Sequence, residues 1–117
     1  MTTCREHFRF DGLQVPVEIH GSGDPMIFLP GLGVHPRYYR EGLERLGRHF
    51  TVFVPDLSSR PHADLPARVD AYRHLAESFA ERYAPQAFRA GHSYGGFVAL
   101  LGSVPAIALS PLIPLTV

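Results

Sequence analysis

Hydrophobic positions along this chain switch between a strand-like and a helix-like period. "HFRFDG" and "LQVPVEIHG" read as two short strands joined at Asp11-Gly12, a dipeptide that favours a hairpin turn. Met26 to Leu29 then form a continuous apolar run, as in a strand buried on both faces. After the glycine-rich "PGLGVHP", Tyr39, Leu43, Leu46 and Phe50 recur at spacings of four, three and four, which predicts one face of a helix. "TVFVPDL" is a second β-branched run. The polar loop "SSRPHADLP" follows, with Asp64 placed to cap the next helix and Pro66 tolerated in its first turn. Val69, Tyr72, Ala76, Phe79 and Tyr83 make that helix's apolar stripe, a core-packing face. "AFRAGHS" predicts a short strand, "YGGFVALLG" a short helix and "AIALSPL" a final strand. Strands that alternate with helices in this way predict an α/β fold, a mostly parallel doubly wound sheet behind an N-terminal antiparallel hairpin.

Length and charge narrow the picture. The chain has 117 residues, 45% of them hydrophobic, enough for one core and not two, so residues 1–117 are expected to form one domain or part of one. Eleven basic residues balance eleven acidic ones, which leaves no global field to attract nucleic acid or an anionic membrane surface. The single cysteine, Cys4, cannot form an internal disulfide, and "MTTCREHFRF" lacks the features of a secretory signal; both point to a cytoplasmic address. The stretch "FVALLGSVPAIALSPLIPLTV" is long enough to cross a bilayer. Pro105, Pro111 and Pro114 interrupt it, however, so a buried helix and a buried strand are expected here in preference to a membrane anchor.

Chemistry concentrates at "AGHSYGG", where Ser93 falls between a predicted strand and a predicted helix. A sharp turn there forces unusual backbone angles on Ser93 and requires small neighbours at Gly91 and Gly95. It exposes the hydroxyl above the sheet, and the helix aims its first amides and positive dipole end at the same point. The alternative is a glycine-rich helix start with Ser93 as an ordinary capping residue.

The order of these motifs resembles the N-terminal half of an α/β-hydrolase-fold protein, serine esterase- or lipase-like, and the resemblance covers nearly the whole chain. "FLPGLG" resembles the loop after the family's third strand, "FVPDLSS" its fourth strand and the loop behind it, and "AGHSYGGFVAL" its nucleophile elbow with the following helix. Carried over, the resemblance implies that Ser93 is the nucleophile, that the backbone amides of Leu32 and Tyr94 form the oxyanion hole, and that no cofactor is needed. It implies a small ester-like substrate hydrolysed through an acyl-serine. Many members carry His-Gly at the oxyanion loop where this chain has Pro30-Gly31.

In that family the acid and the histidine follow the serine in chain order. Here residues 97–117 contain no Asp, Glu or His, so the expectation is an incomplete domain whose nucleophile lacks its usual partners. A serine hydroxyl is a poor nucleophile without a base in hydrogen-bond reach. Upstream, His35 in the loop over the site is the candidate substitute base, His92 is expected to shape the turn, and Asp56 can either orient a histidine or form a turn. His62 and Asp64 are spaced like a metal pair with no third ligand, so no metal is expected, and neither a Walker motif nor a full G-x-G-x-x-G is present. The competing function is a non-catalytic interaction module, whose open final strand pairs with a second copy or a complementary fragment.

Overall fold

The computed structural model describes residues 3–10, 12–31, 33–58, 65–102 and 104–109. The chain forms β1 (Thr3–Phe10), β2 (Leu13–Gly21), β3 (Asp24–Leu29), a 3-10 turn (Pro36–Tyr39), α1 (Arg40–Leu46), β4 (Phe50–Pro55), α2 (Leu65–Tyr83), β5 (Phe88–His92), α3 (Tyr94–Leu100) and β6 (Ala106–Leu109). The strands make one sheet in the order β1-β2-β4-β3-β5-β6. β1 and β2 pair antiparallel, β2 meets β4 antiparallel, and β4, β3, β5 and β6 run parallel, which is the predicted α/β architecture. Asp11 of the predicted hairpin dipeptide lies outside the described residues, while Gly12 has φ +78°, which glycine adopts without steric penalty.

Side chains that alternate along each strand fill both faces of the sheet. Ile27 and Leu29 of β3 face α2 and α3, where they join Val15, Val17, Leu75, Phe79, Val98 and Ala99. Met26 and Phe28 face α1 and meet Leu43, Val52, Val54 and Ala90. A strand with apolar neighbours on both sides has no polar positions to alternate, which is why residues 26–29 read as one continuous run.

Two predicted elements differ. Phe50, expected on the α1 face, opens β4 instead, because α1 ends at Leu46 and residues 47–49 turn the chain back into the sheet. β6, expected to be buried, is half-exposed: as the last strand in the sheet it leaves Ile107 and Leu109 facing outward. α3 has only seven residues, and among the described residues no helix is long and apolar enough to cross a membrane. α2 starts at Leu65, so Pro66 lies in its first turn as predicted; Asp64, His62 and residues 110–117 lie outside the described residues.

The chain steps from β3 outward to β4, then crosses back past β3 to β5, so α1 lies on one face and α2 and α3 on the other. Loops leaving the carboxyl ends of β3 and β5 therefore diverge. In open parallel sheets the crevice between such loops is where ligands bind.

Candidate active site

Ser93 occupies that crevice in a conformation no other described non-glycine residue shares, with φ 56° and ψ −118°. A side chain held there costs on the order of 1–3 kcal/mol, and it persists only because the surroundings leave no alternative. The glycines are those surroundings. A Cβ on Gly91 would overlap the carbonyl oxygen of Gly95, and one on Gly95 would overlap the carbonyl oxygens of Leu29 and Pro30. The first turn of α3 thus sits directly on the ends of β3 and β5, and the Ser93 amide is held by the Leu109 carbonyl at 3.0 Å.

The capping alternative is not what the hydroxyl does: Ser93 makes no side-chain bond to the amides of α3. The Tyr94 amide, at the first position of α3, has no intrahelical acceptor and lies beside that hydroxyl in sequence. Leu32, the other expected amide donor, lies outside the described residues. Gly31 is adjacent to the crevice, since a Cβ there would stand 3.6 Å from Ser93 Cβ, and the Val34 amide closes a turn back onto the Gly31 carbonyl at 3.1 Å.

Two tyrosines hold this Gly31 loop from opposite faces of the sheet. From α2, Tyr72 donates its hydroxyl proton to the Pro30 carbonyl at 2.6 Å in a fully buried contact. From the α1 side, the Tyr39 hydroxyl accepts the Gly31 amide at 3.1 Å and lies 2.8 Å from Nδ1 of His92. The Tyr39 ring also packs edge-on against Phe28 and His92. Burial raises both phenols above their ordinary range, Tyr72 strongly and with a further push from neighbouring Tyr39, so both remain protonated donors at neutral pH.

His35, the candidate substitute base, is engaged elsewhere. Its Nδ1 accepts the Arg37 amide at 3.0 Å, capping the 3-10 turn, and its Nε2 lies 3.4 Å from the Asp56 carboxylate. Asp56 does both things its position allowed: it faces a histidine and closes its own turn by accepting the Ser58 amide and hydroxyl at 2.9 and 2.6 Å. His92 turns its ring toward Tyr39, its Nδ1 2.8 Å from that hydroxyl. Among the described residues no histidine bonds the Ser93 hydroxyl, and no group of three metal-ligating side chains occurs.

The sequence placed Ser93, Gly91 and Gly95 in the crevice but assigned Tyr39 and Tyr72 only to apolar helix faces. The missed signal was the hydroxyl: a tyrosine in a buried stripe, where phenylalanine would pack as well, needs a partner.

On the α1 side, an open groove of about 320 Å³ beside the hairpin is lined by Arg5, Arg37, Arg40, Glu18 and Glu44. A second hollow, about 270 Å³, lies between α1 and the ends of β5 and β6, lined by Phe28, Tyr38, Tyr39, Leu46, His92 and Leu109.

The profile of the alpha/beta hydrolase family matches residues 26–117. A protein of Mycobacterium phage D29 described as a non-heme haloperoxidase is 36% identical over 91 residues, covering 74% of this chain and 33% of that protein. Among solved structures, an alpha/beta hydrolase fold protein from Burkholderia ambifaria superposes with a TM-score of 0.79 at 21% identity, covering 94% of this chain and 45% of that one. The thioesterase domain from the curacin biosynthetic pathway gives 0.79 at 16% identity, with 97% and 48% covered. An epoxide hydrolase gives 0.80 at 18% identity, with 99% and 46% covered. The chain thus spans a third of the phage protein and about half of each of these structures.

Proposed function

Because this chain belongs to the alpha/beta hydrolase family, we propose that it carries the nucleophile and oxyanion end of a serine hydrolase that cleaves a small ester or thioester through an acyl intermediate on Ser93. The observation that carries this reading is the strained, uncapped serine between two obligatory glycines at the sheet's switch point. In the reaction, Ser93 Oγ bonds the acyl carbon while a base takes its proton. The carbonyl oxygen gathers negative charge against the Leu32 and Tyr94 amides. The alcohol or thiol leaves with that proton, and water then splits the acyl-serine. This chemistry requires no cofactor, and a serine at this position disfavours the carboxylate-nucleophile reactions of epoxide hydrolases and dehalogenases.

With His35 bonded to Arg37 and Asp56, and His92 to Tyr39, the described residues supply no base to Ser93. Turnover by this chain alone is therefore negligible, and any acyl group placed on Ser93 stays there. Incubation with p-nitrophenyl acetate followed by intact-mass analysis and peptide mapping tests this. A lasting acetyl adduct on Ser93, absent from Ser93→Ala, is expected; rapid multiple turnover, or acetylation that spares Ser93, would overturn the reading. The balanced charge and the free, exposed Cys4 favour a cytoplasmic protein that binds no nucleic acid.

A second reading is favoured by one observation. Leu100 and Leu101 at the end of α3, with Ile107 and Leu109 on the edge strand β6, are all exposed, which suits an interaction module that pairs with another copy through this edge. Sedimentation velocity over a dilution series separates the two: dimers support it, and a monomer at all concentrations counts against it.

A further inference from the structure

We propose that Tyr39 is a positioning residue that couples the Gly31 loop to the Ser93 turn, its hydroxyl binding the Gly31 amide on one side and His92 Nδ1 on the other. The proposal rests on the reading of Ser93 as the nucleophile, because it concerns how the loop that would stabilise the oxyanion is held at a fixed distance from that serine.

One hydrogen-bonding role in this chain is fixed by chemistry and the other by the tautomer of His92. The Gly31 amide can only donate, so the Tyr39 oxygen accepts from it at 3.1 Å. In the neutral ring with its proton on Nε2, His92 Nδ1, 2.8 Å away, accepts the phenolic proton. One hydroxyl thus spans the loop after β3 and the residue immediately before Ser93, and the path involves no flexible side chain.

The same geometry makes the tie sensitive to the charge on His92. Once Nδ1 carries a proton it becomes a donor, and the Tyr39 oxygen faces two donors while its own proton has lost its acceptor. The Tyr39 oxygen must then serve both donors while its own proton turns away, which weakens the Gly31 bond. Among the described residues that line the hollow, none carries a formal charge to offset this. The hollow that His92 lines is shared with Tyr38 and Tyr39 from the 3-10 turn, Phe28 from β3, Gly42, Leu43 and Leu46 from α1, and Leu109 from β6; of these the two tyrosines are titratable, and Tyr39 is the one in contact with the His92 ring. Tyr72 holds the neighbouring Pro30 carbonyl independently, so the loop loses one of two restraints and stays attached to the fold.

The test uses the full chain, labelled with nitrogen-15. As pH is lowered through the titration of His92, followed on its ring resonances, the Gly31 amide resonance is expected to shift with the same midpoint. In Tyr39→Phe, His92 still titrates but the Gly31 amide does not follow it. Gly31 hydrogen exchange is expected to quicken by about tenfold in that variant, the size of one net hydrogen bond. The Val34 amide, held by the Gly31 carbonyl, exchanges at an unchanged rate, which a general loosening of the loop would not permit. A Gly31 amide that ignores His92 in the wild-type chain, or that follows it equally in Tyr39→Phe, would overturn the proposal. If Tyr39→Phe fails to fold, the wild-type titration still overturns the proposal wherever the Gly31 amide does not follow His92. Neither readout involves the Ser93 hydroxyl, so an unreactive Ser93 would remove the proposed hydrolase function and leave this coupling standing, and the reverse also holds.

Discussion

The same strands build both faces of the sheet, but among the described residues the face under α2 and α3 is closed while the face under α1 is left partly open. Phe79, Leu75, Ala76, Ala80, Val98 and Ala99 cover the first face so fully that Ile27 and Leu29 are inaccessible to solvent. The second has one short helix, and beyond its edge a hollow opens in which Tyr38 is 72% exposed and Leu109 51%. The difference teaches where the chemistry is over-determined. The Ser93 turn is clamped from the closed face through Gly95, and Tyr72 fastens the Pro30 carbonyl from that same face, whereas Tyr39 holds the Gly31 amide from the open face through a half-buried hydroxyl. Strain at Ser93 can be maintained because the closed face supplies the packing that opposes its release.

Truncation of the closed core should give the largest effect. Phe79→Ala is expected to destabilise the chain by about 3–5 kcal/mol, whereas Leu109→Ala at the open edge should stay within about 0.5 kcal/mol. Urea unfolding measures both, and similar losses at the two sites would abolish the distinction between the faces. Next comes the contact between α3 and β3. Gly95→Ala forces a methyl group into main-chain carbonyls that cannot move aside, with an expected loss of about 3 kcal/mol or failure to fold. Gly42→Ala in α1, where the added atom meets open space, should gain about 0.5–1 kcal/mol from helix propensity.

A smaller effect tests how α2 is fastened to the sheet. Arg89 is buried on β5 and donates to both oxygens of half-exposed Glu77, at 2.6 and 3.3 Å, and this bond holds the Glu77 carboxyl below its ordinary range against the opposing influence of burial. A carboxyl depressed in the folded state contributes stability above its unfolded pKa and loses it as pH falls through the folded one. Glu77→Gln should therefore cost about 1 kcal/mol at neutral pH, a figure kept small by solvent screening, and the gap from wild type should close in acid. An equal gap at pH 7 and in acid would show that the charge on Glu77 is immaterial. The smallest effect is expected at the turn itself: Ser93→Gly releases the φ strain and should raise stability by about 1 kcal/mol or less, since glycine also loosens the unfolded chain.

Much of this architecture was legible in the residues, and the failures have physical causes. The continuous run at residues 26–29, the stripe along α2 and the glycines around Ser93 each admit one placement, because burial on both faces, a 3.6-residue period and main-chain contact leave little choice. Phe50 was misplaced because its spacing from Leu46 fits a helical face, and spacing cannot see the chain turning at residues 47–49. β6 was misjudged because an apolar strand reads the same at the edge of a sheet as in the middle, and only pairing reveals which. His35 was legible as a loop residue over the site, but its two bonds, to an amide two residues on and to a carboxylate just past the end of β4, depend on three-dimensional closure. Tyr39 and Tyr72 were hidden for the same reason, since their role lies in where the hydroxyl ends and not in the stripe that carries the ring.

The central claim is that Ser93 is presented as a nucleophile without a base among the described residues, and the pH dependence of its phosphonylation tests this most directly. A fluorophosphonate should modify Ser93 in preference to Ser22 and Ser58, at a rate that keeps rising with hydroxide concentration across the range in which the protein stays folded. No preference for Ser93 would contradict its assignment as the nucleophile, and a rate that levels off near neutral pH would reveal a base within the chain.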